Sequence, residues 1–290
     1  MTGILRLLMN YFNKVINITD SEYSYLLPLL KIISEVSNQL RFNYIVIGAV
    51  ARDFLIRFVY DTQVRLRATS DLDLAIMIDD WEKYDIIISN LISQYGFVKG
   101  RQKQRLLYNT LLLDIIPFGS IAEDNSILWP PDNSFKMSIT GFREAYESCI
   151  DVSINDMKLH ILSLEGLFVT KLVAWSDRKE RKKTDAEDLG TILYNYHDFY
   201  PDDLFENYSY LVDSAEYDYI LSGVRIFGIR LRKLLERYPD LLQAVVEIIK
   251  NELQDKQEAE LIVYLSTIES VDRNLKSLHI ILDELSKALQ

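Results

Sequence analysis

Two apolar runs of this chain, "DLDLAIMI" (residues 71–78) and "LLLDIIPF" (residues 111–118), have the content of buried strands and yet contain carboxylates. Successive side chains of a strand point to opposite faces, so Asp71 and Asp73 share one face while Leu72 and Leu74 share the other. Two like charges on one face are costly unless something positive lies between them. Asp114, inside the second run, is expensive in an apolar strand unless it is paired or coordinated. Any sheet built from these segments has to bring positive charge to one of its faces.

The surrounding pattern places the two runs in an α+β (α/β) domain. Residues 20–40 have helical spacing of apolar side chains, and "FNYIVIG" reads as a buried strand ending at Gly48. A helix, "AVARDFLIRFVY", and a polar connection, "DTQVRLRATS", lead into the first carboxylate-bearing strand. The next helix runs to "SQYG", with Asp79 or Asp80 as its N-cap. "RLLYNTLLLDIIPFG" then reads as a hairpin, "SILWPPDNS" as a loop, and "GFREAYESCIDVSI" as a helix and strand. From "LSLEGLF" onward the pattern is helical, with breaks near Pro201 and Pro239. The change near residue 155 predicts two domains, 1–155 with a mixed sheet flanked by helices and 156–290 all helical.

Composition narrows the function. The chain has 290 residues and a formal net charge of −11, which argues against tight non-specific binding to a nucleic-acid backbone. Residues 201–290 hold 17 acids against 10 bases, whereas "KLVAWSDRKERKK" (171–183) is locally basic. A polyanion, if one binds, binds there. The single Cys149 forms no internal disulfide, and His160, His197 and His279 are too scattered for a zinc set. No membrane span or signal segment is legible, so a cytoplasmic location is expected.

Three features converge on one chemistry. Gly48 stands where a strand turns into a helix, where a backbone amide can approach an anion without a side chain in the way. The Asp71/Asp73 pair opens the next strand, and Asp114 lies within the following hairpin. Carboxylate oxygens together with substrate phosphates are the usual ligands of Mg²⁺.

"GAVARDFL", "SDLDLAI" and "LLLDIIPFG" together resemble the nucleotidyltransferase superfamily, the DNA-polymerase-β-like fold. "KLVAWSDRKERKKTDAEDLGTIL" resembles motifs of the AbiEii/AbiGii family of toxin nucleotidyltransferases through Lys171, Arg178, Asp185 and Asp188, and "RIFGIRLRKLL" matches its last motif loosely at Gly228 and Arg230. The resemblance spans roughly residues 40–235. It implies transfer of NMP from an NTP with two Mg²⁺ ions, Asp71 and Asp73 holding one on the triphosphate and sharing the second with Asp114, which also takes the acceptor's proton. Gly48, Ala49, Arg52 and Ser70 would contact the nucleotide, with Arg52 alternatively paired to Asp53 on the surface. Lys171 would reach the triphosphate, and Arg178 would bind phosphate or lock its helix to Asp185 or Asp188.

Ala49 departs from the family, which has serine or a second glycine there, so a hydroxyl contact to the nucleotide is missing. The implied acceptor is the tRNA 3′ end, and the implied setting is a type IV toxin–antitoxin or phage-defence pair with a cognate antitoxin. Other readings are a CCA-adding tRNA nucleotidyltransferase, whose G-G-x-x-R-D motif "GAVARDFL" approaches, a small-molecule nucleotidyltransferase, and a non-catalytic partner-binding protein of the same fold. The E-D-x-x-R-like helix of the CCA-adding enzymes is not found in this sequence.

Overall fold

A computed structural model describes residues 14–19, 21–66, 69, 71–177, 182–200, 206–212, 217–254, 260–266 and 275–290. The chain separates into two compact units, one of residues 1–59 and 67–163, the other of residues 60–66 and 164–290. Composition changes near residue 155, but the strand at 157–161 keeps that stretch in the sheet of the first unit.

Among the described residues, the first unit is built on a mixed sheet of eight strands. In chain order they are β1 (Lys14–Ile16), β2 (Asn43–Ile47), β3 (Asp71–Met77), β4 (Val98–Lys99), β5 (Arg105–Tyr108), β6 (Leu111–Phe118), β9 (Ile150–Ile154) and β10 (Met157–Ile161). Across the sheet the order is β1-β9-β10-β2-β3-β6-β5-β4. β3 runs parallel to β6 and antiparallel to β2, so the two carboxylate-bearing strands are immediate neighbours. Leu72, Leu74, Ala75, Leu113 and Ile115 are buried, and the carboxylates break that apolar surface at one end of β3 and midway along β6.

Helices α1 (Leu27–Leu40), α2 (Gly48–Phe54), α3 (Trp81–Tyr95) and α4 (Phe142–Tyr146) accompany this sheet. α2 continues into a wider π-helical turn, Leu55–Val59. In α3 the apolar residues Tyr84, Ile87, Ile88 and Leu91 recur at three- and four-residue steps and are buried. Asp80 is its N-cap, accepting from the Lys83 amide at 2.8 Å, and Gly96 ends the helix in the left-handed region. "SILWPPDNS", expected as a loop, instead begins with β7 (Ser126–Trp129), which pairs with β8 (Phe135–Ser138) in a small second sheet. The Pro-Pro-Asp-Asn sequence is the turn between them, and Trp129 is buried beside Trp81 and Tyr84.

The second unit is helical, as the sequence predicts: α5 (Leu164–Asp177), α6 (Lys182–Phe199), α7 (Ser209–Val212), α8 (Tyr219–Leu235), α9 (Pro239–Gln254), α10 (Glu260–Leu265) and α11 (Leu275–Ala288). Gly223 and Gly228 let α8 approach its neighbours closely. A Cβ on Gly223 would lie 2.7 Å from the His197 backbone nitrogen in α6, and one on Gly228 would lie 2.4 Å from Ala288 Cβ in α11. Among the described residues no helix is long and apolar enough to cross a membrane.

Candidate active site

The register of the central strands assembles the carboxylates in a row. Ile47 of β2 pairs with Asp73, Asp73 pairs with Asp114 of β6, and Asp114 pairs with Arg105 of β5. Directly paired residues on neighbouring strands project from the same face about 4.8 Å apart, so Asp73, Asp114 and Arg105 form a line across the sheet. Asp71 lies on that face two residues before Asp73.

Gly48 follows Ile47 at the end of this line. Its φ is +69°, and a Cβ added there would come within 2.2 Å of Asp73 Oδ2 and 3.0 Å of Asp73 Cβ. The glycine is therefore needed twice, for a left-handed backbone and for the room that the Asp73 carboxylate takes up. The chain reverses from strand into α2 over the carboxylate itself, which leaves backbone as the wall on that side.

The positive charge demanded by the sequence is Arg105. Its Nε donates to Asp114 Oδ1 and its Nη2 to Asp114 Oδ2, both at 2.6 Å, and Nη2 also lies 3.7 Å from Asp71 Oδ2. Asp114 is 3% exposed. The bidentate bond to this carboxylate raises the pKa of the guanidinium, with the Asp114, Asp71 and Asp73 charges adding to the shift. Thr69 Oγ1 donates to Asp71 Oδ1 at 2.9 Å, and the Tyr25 hydroxyl donates to the Thr69 carbonyl at 3.0 Å.

Arg105 was not among the residues expected at this site, although the hairpin contains the information. A turn of two residues, Asn109 and Thr110, pairs Tyr108 with Leu111, and counting outward along both strands pairs Arg105 with Asp114.

Other expected residues fall in different surroundings. Arg52 and Asp53 do pair, but in the interior rather than at the surface: each is 1% exposed, and Arg52 Nε and Nη2 donate to Asp53 Oδ1 at 2.8 and 2.6 Å. The Tyr23 hydroxyl donates to Asp53 Oδ2 at 3.0 Å. Ala49, also buried, directly follows Gly48 in α2. Ser70 and Arg178 lie outside the described residues.

In the second unit, Lys171 Nζ of α5 lies 3.1 Å from Asp185 Oδ1 and 2.7 Å from Asp188 Oδ2, both on α6. These three are brought together as a buried ionic clasp between two helices. Gly228 packs on Ala288, and the Arg230 guanidinium sits 3.7 Å above the Tyr200 ring, within reach of the Tyr196 hydroxyl at 3.4 Å.

As a metal site the face has a partial donor set. Asp71 and Asp73 are half-buried oxygen donors on one strand, which suits a hard cation in kind. Asp114 differs, because both of its oxygens already accept from Arg105. Among the described residues no group of three or more His, Cys, Asp or Glu is arranged to hold a metal ion.

No family model and no curated protein matches the chain. Some solved structures are similar to the chain. They include an antigenic nucleotidyltransferase-like protein from Paracoccidioides brasiliensis (16% identity, TM-score 0.40, covering 75% of this chain and 90% of that one). The antibiotic-resistance factor ANT(2'')-Ia follows at 13% identity and TM-score 0.38, over 65% of this chain and 96% of that one. The CdnE cyclic dinucleotide synthase of Elizabethkingia meningoseptica, solved with GTP and Apcpp, has 13% identity and TM-score 0.27 over 96% of both chains. At these identities and scores none of them assigns a role to a residue of this chain.

Proposed function

We propose that the chain is a nucleotidyltransferase that moves NMP from an NTP to a macromolecular acceptor. The observation that carries this reading is the close approach of Gly48 to Asp73, with Asp71 on the same face and Asp114 in register on the neighbouring strand. A side-chain-free backbone against a pair of half-buried carboxylates suits a triphosphate with its counter-ion. Mg²⁺ held by Asp71 and Asp73 would supply neutralisation of charge on the triphosphate. The amides of Gly48 and Ala49 would orient the phosphates, and Arg105 fixes Asp114 on the sheet face against which the nucleotide would lie. In the transfer, a bond forms between the acceptor oxygen and the α-phosphorus, the bond from that phosphorus to pyrophosphate breaks, pyrophosphate leaves, and the proton of the acceptor hydroxyl is released to solvent.

The tRNA acceptor and the setting of a type IV toxin or phage-defence system with a cognate antitoxin form the finer part of the proposal. They are supported by the motif likeness at Lys171, Arg178, Asp185 and Asp188.

The test is incubation of the purified chain with each labelled NTP, Mg²⁺ and total tRNA, beside Asp73→Asn. Labelled tRNA that Asp73→Asn abolishes is the expected result, together with growth arrest on expression that the same substitution relieves. Label on a small molecule would move the acceptor class. No transfer under any condition, or transfer that Asp73→Asn leaves intact, would refute the reading.

A further inference from the structure

The pairing of Arg105 with Asp114 bears on how many cations the three carboxylates hold. A site with Asp71, Asp73 and Asp114 on one face invites two divalent cations, the second shared with Asp114. In this chain the place beside Asp114 is filled from the protein side. The guanidinium lies directly opposite in the antiparallel register of β5 and β6, donates to both oxygens at 2.6 Å, and reaches to 3.7 Å from Asp71 Oδ2. Arg105 is 16% exposed and the Asp114 side chain 4%, so the pair is largely shielded from water. Among the described residues, the three carboxylates and one guanidinium on this face carry a net charge of about −2, which matches a single divalent cation.

Resting on the nucleotidyltransferase reading, we propose that Arg105 is the resident counter-ion of this site: it takes the position of a second metal, and the chain binds one divalent cation, through Asp71 and Asp73. Arg105 is a positioning residue, acting through Asp114 and Asp71. A planar guanidinium with two parallel bonds suits this task, because it holds the carboxylate in one orientation whereas a hydrated metal ion would leave several.

Manganese counts the sites without recourse to activity. The full chain is titrated with Mn²⁺ and free ion is followed by electron paramagnetic resonance. Ions that remain in Asp71→Asn/Asp73→Asn are subtracted as surface binding. One site-specific Mn²⁺ per chain is expected in the wild type, and one in Arg105→Lys, which keeps a cation beside Asp114. Arg105→Gln is expected to bind two, with the second lost again in Arg105→Gln/Asp114→Asn. Circular dichroism and a thermal melt check that each variant is folded, and Arg105→Lys together with the wild-type count decides the matter if Arg105→Gln does not fold. Two site-specific ions in the wild type, or one in a folded Arg105→Gln, overturns the proposal and leaves the nucleotidyltransferase reading standing. No site-specific ion in any variant also overturns the one-cation proposal, while the NTP-labelling experiment decides the nucleotidyltransferase reading separately, because there the triphosphate supplies metal ligands of its own.

Discussion

Gly48 sets a condition on Asp73 that no other side chain meets. Gly48→Ala adds an atom 2.2 Å from Asp73 Oδ2 and forces a left-handed φ on alanine, a strain of about 1–2 kcal/mol. The carboxylate has to rotate away, so Gly48→Ala is expected to reproduce the Asp73→Asn defect, a loss of transfer of about 100-fold or more, with only a modest fall in melting temperature. A Gly48→Ala protein that melts normally and transfers at the wild-type rate would show that the contact is packing without function. Much of this row was legible beforehand. Alternation alone puts Asp71 and Asp73 on one face, and the intrusion of Asp114 into "LLLDII" announces a partner. The identity of that partner depends on which residue the hairpin register places opposite, and that follows from the turn at Asn109-Thr110 rather than from any apolar pattern. The burial of the Arg52–Asp53 pair was illegible for a similar reason. Adjacent opposite charges on a short helix look like a solvated pair until Tyr23, thirty residues upstream in sequence, is seen to donate to Asp53.

Among the elements, α5 and α6 are joined by the Lys171 clasp. The Asp185 and Asp188 side chains are 4% and 0% exposed, and Lys171 is a cation that the two buried carboxylates share. Breaking a buried ion pair by removing one partner costs about 3–5 kcal/mol. Lys171→Met is therefore expected to lower the melting temperature sharply in the absence of any nucleotide, and Lys171→Met/Asp185→Asn/Asp188→Asn to recover part of the loss by removing the buried charges. A Lys171→Met chain that melts like the wild type but has a raised KM for NTP would instead make Lys171 a nucleotide ligand. The residues of this clasp stood out in the sequence through their spacing, but spacing on two helices is the same for a clasp and for a ligand set. The paired strands β7 and β8 were hidden by the reverse effect. Each has four residues, and the turn-rich "PPDN" between them dominates the local signal. The strand β1 depends on a partner more than a hundred residues away in β9, and the hairpin of β9 and β10 joins the rest of the sheet through β2, equally distant, which no local periodicity reveals.

Across the whole molecule, the instructive segment is residues 60–66. It lies in sequence between the neighbouring sheet strands β2 and β3, yet it belongs to the helical unit. Tyr60 explains the assignment. Its ring stacks on Phe199 with centroids 5.3 Å apart and meets Tyr200 edge-on at 4.9 Å, and its hydroxyl bonds to that of Tyr200. Burial drives the Tyr60 and Tyr196 pKa values well above the ordinary phenol range, so both hydroxyls stay protonated, and Tyr196 donates to Glu165. The helical unit is thus completed by a piece of chain that a cut at the change in composition would leave behind. Removing a buried aromatic ring costs about 3–5 kcal/mol. If Tyr60 serves the helical unit, Tyr60→Ala should raise amide hydrogen exchange in residues 182–199 and 219–235 by about 100-fold or more and leave residues 71–77 and 111–118 protected as in the wild type. Faster exchange in the two strands with unchanged helices would place this segment with the sheet, and a fragment ending at Ser163 would then be the natural catalytic unit. With the expected outcome, such a fragment carries an orphaned aromatic residue, and Tyr60→Ser should improve its solubility on gel filtration without altering the Asp73–Asp114 register.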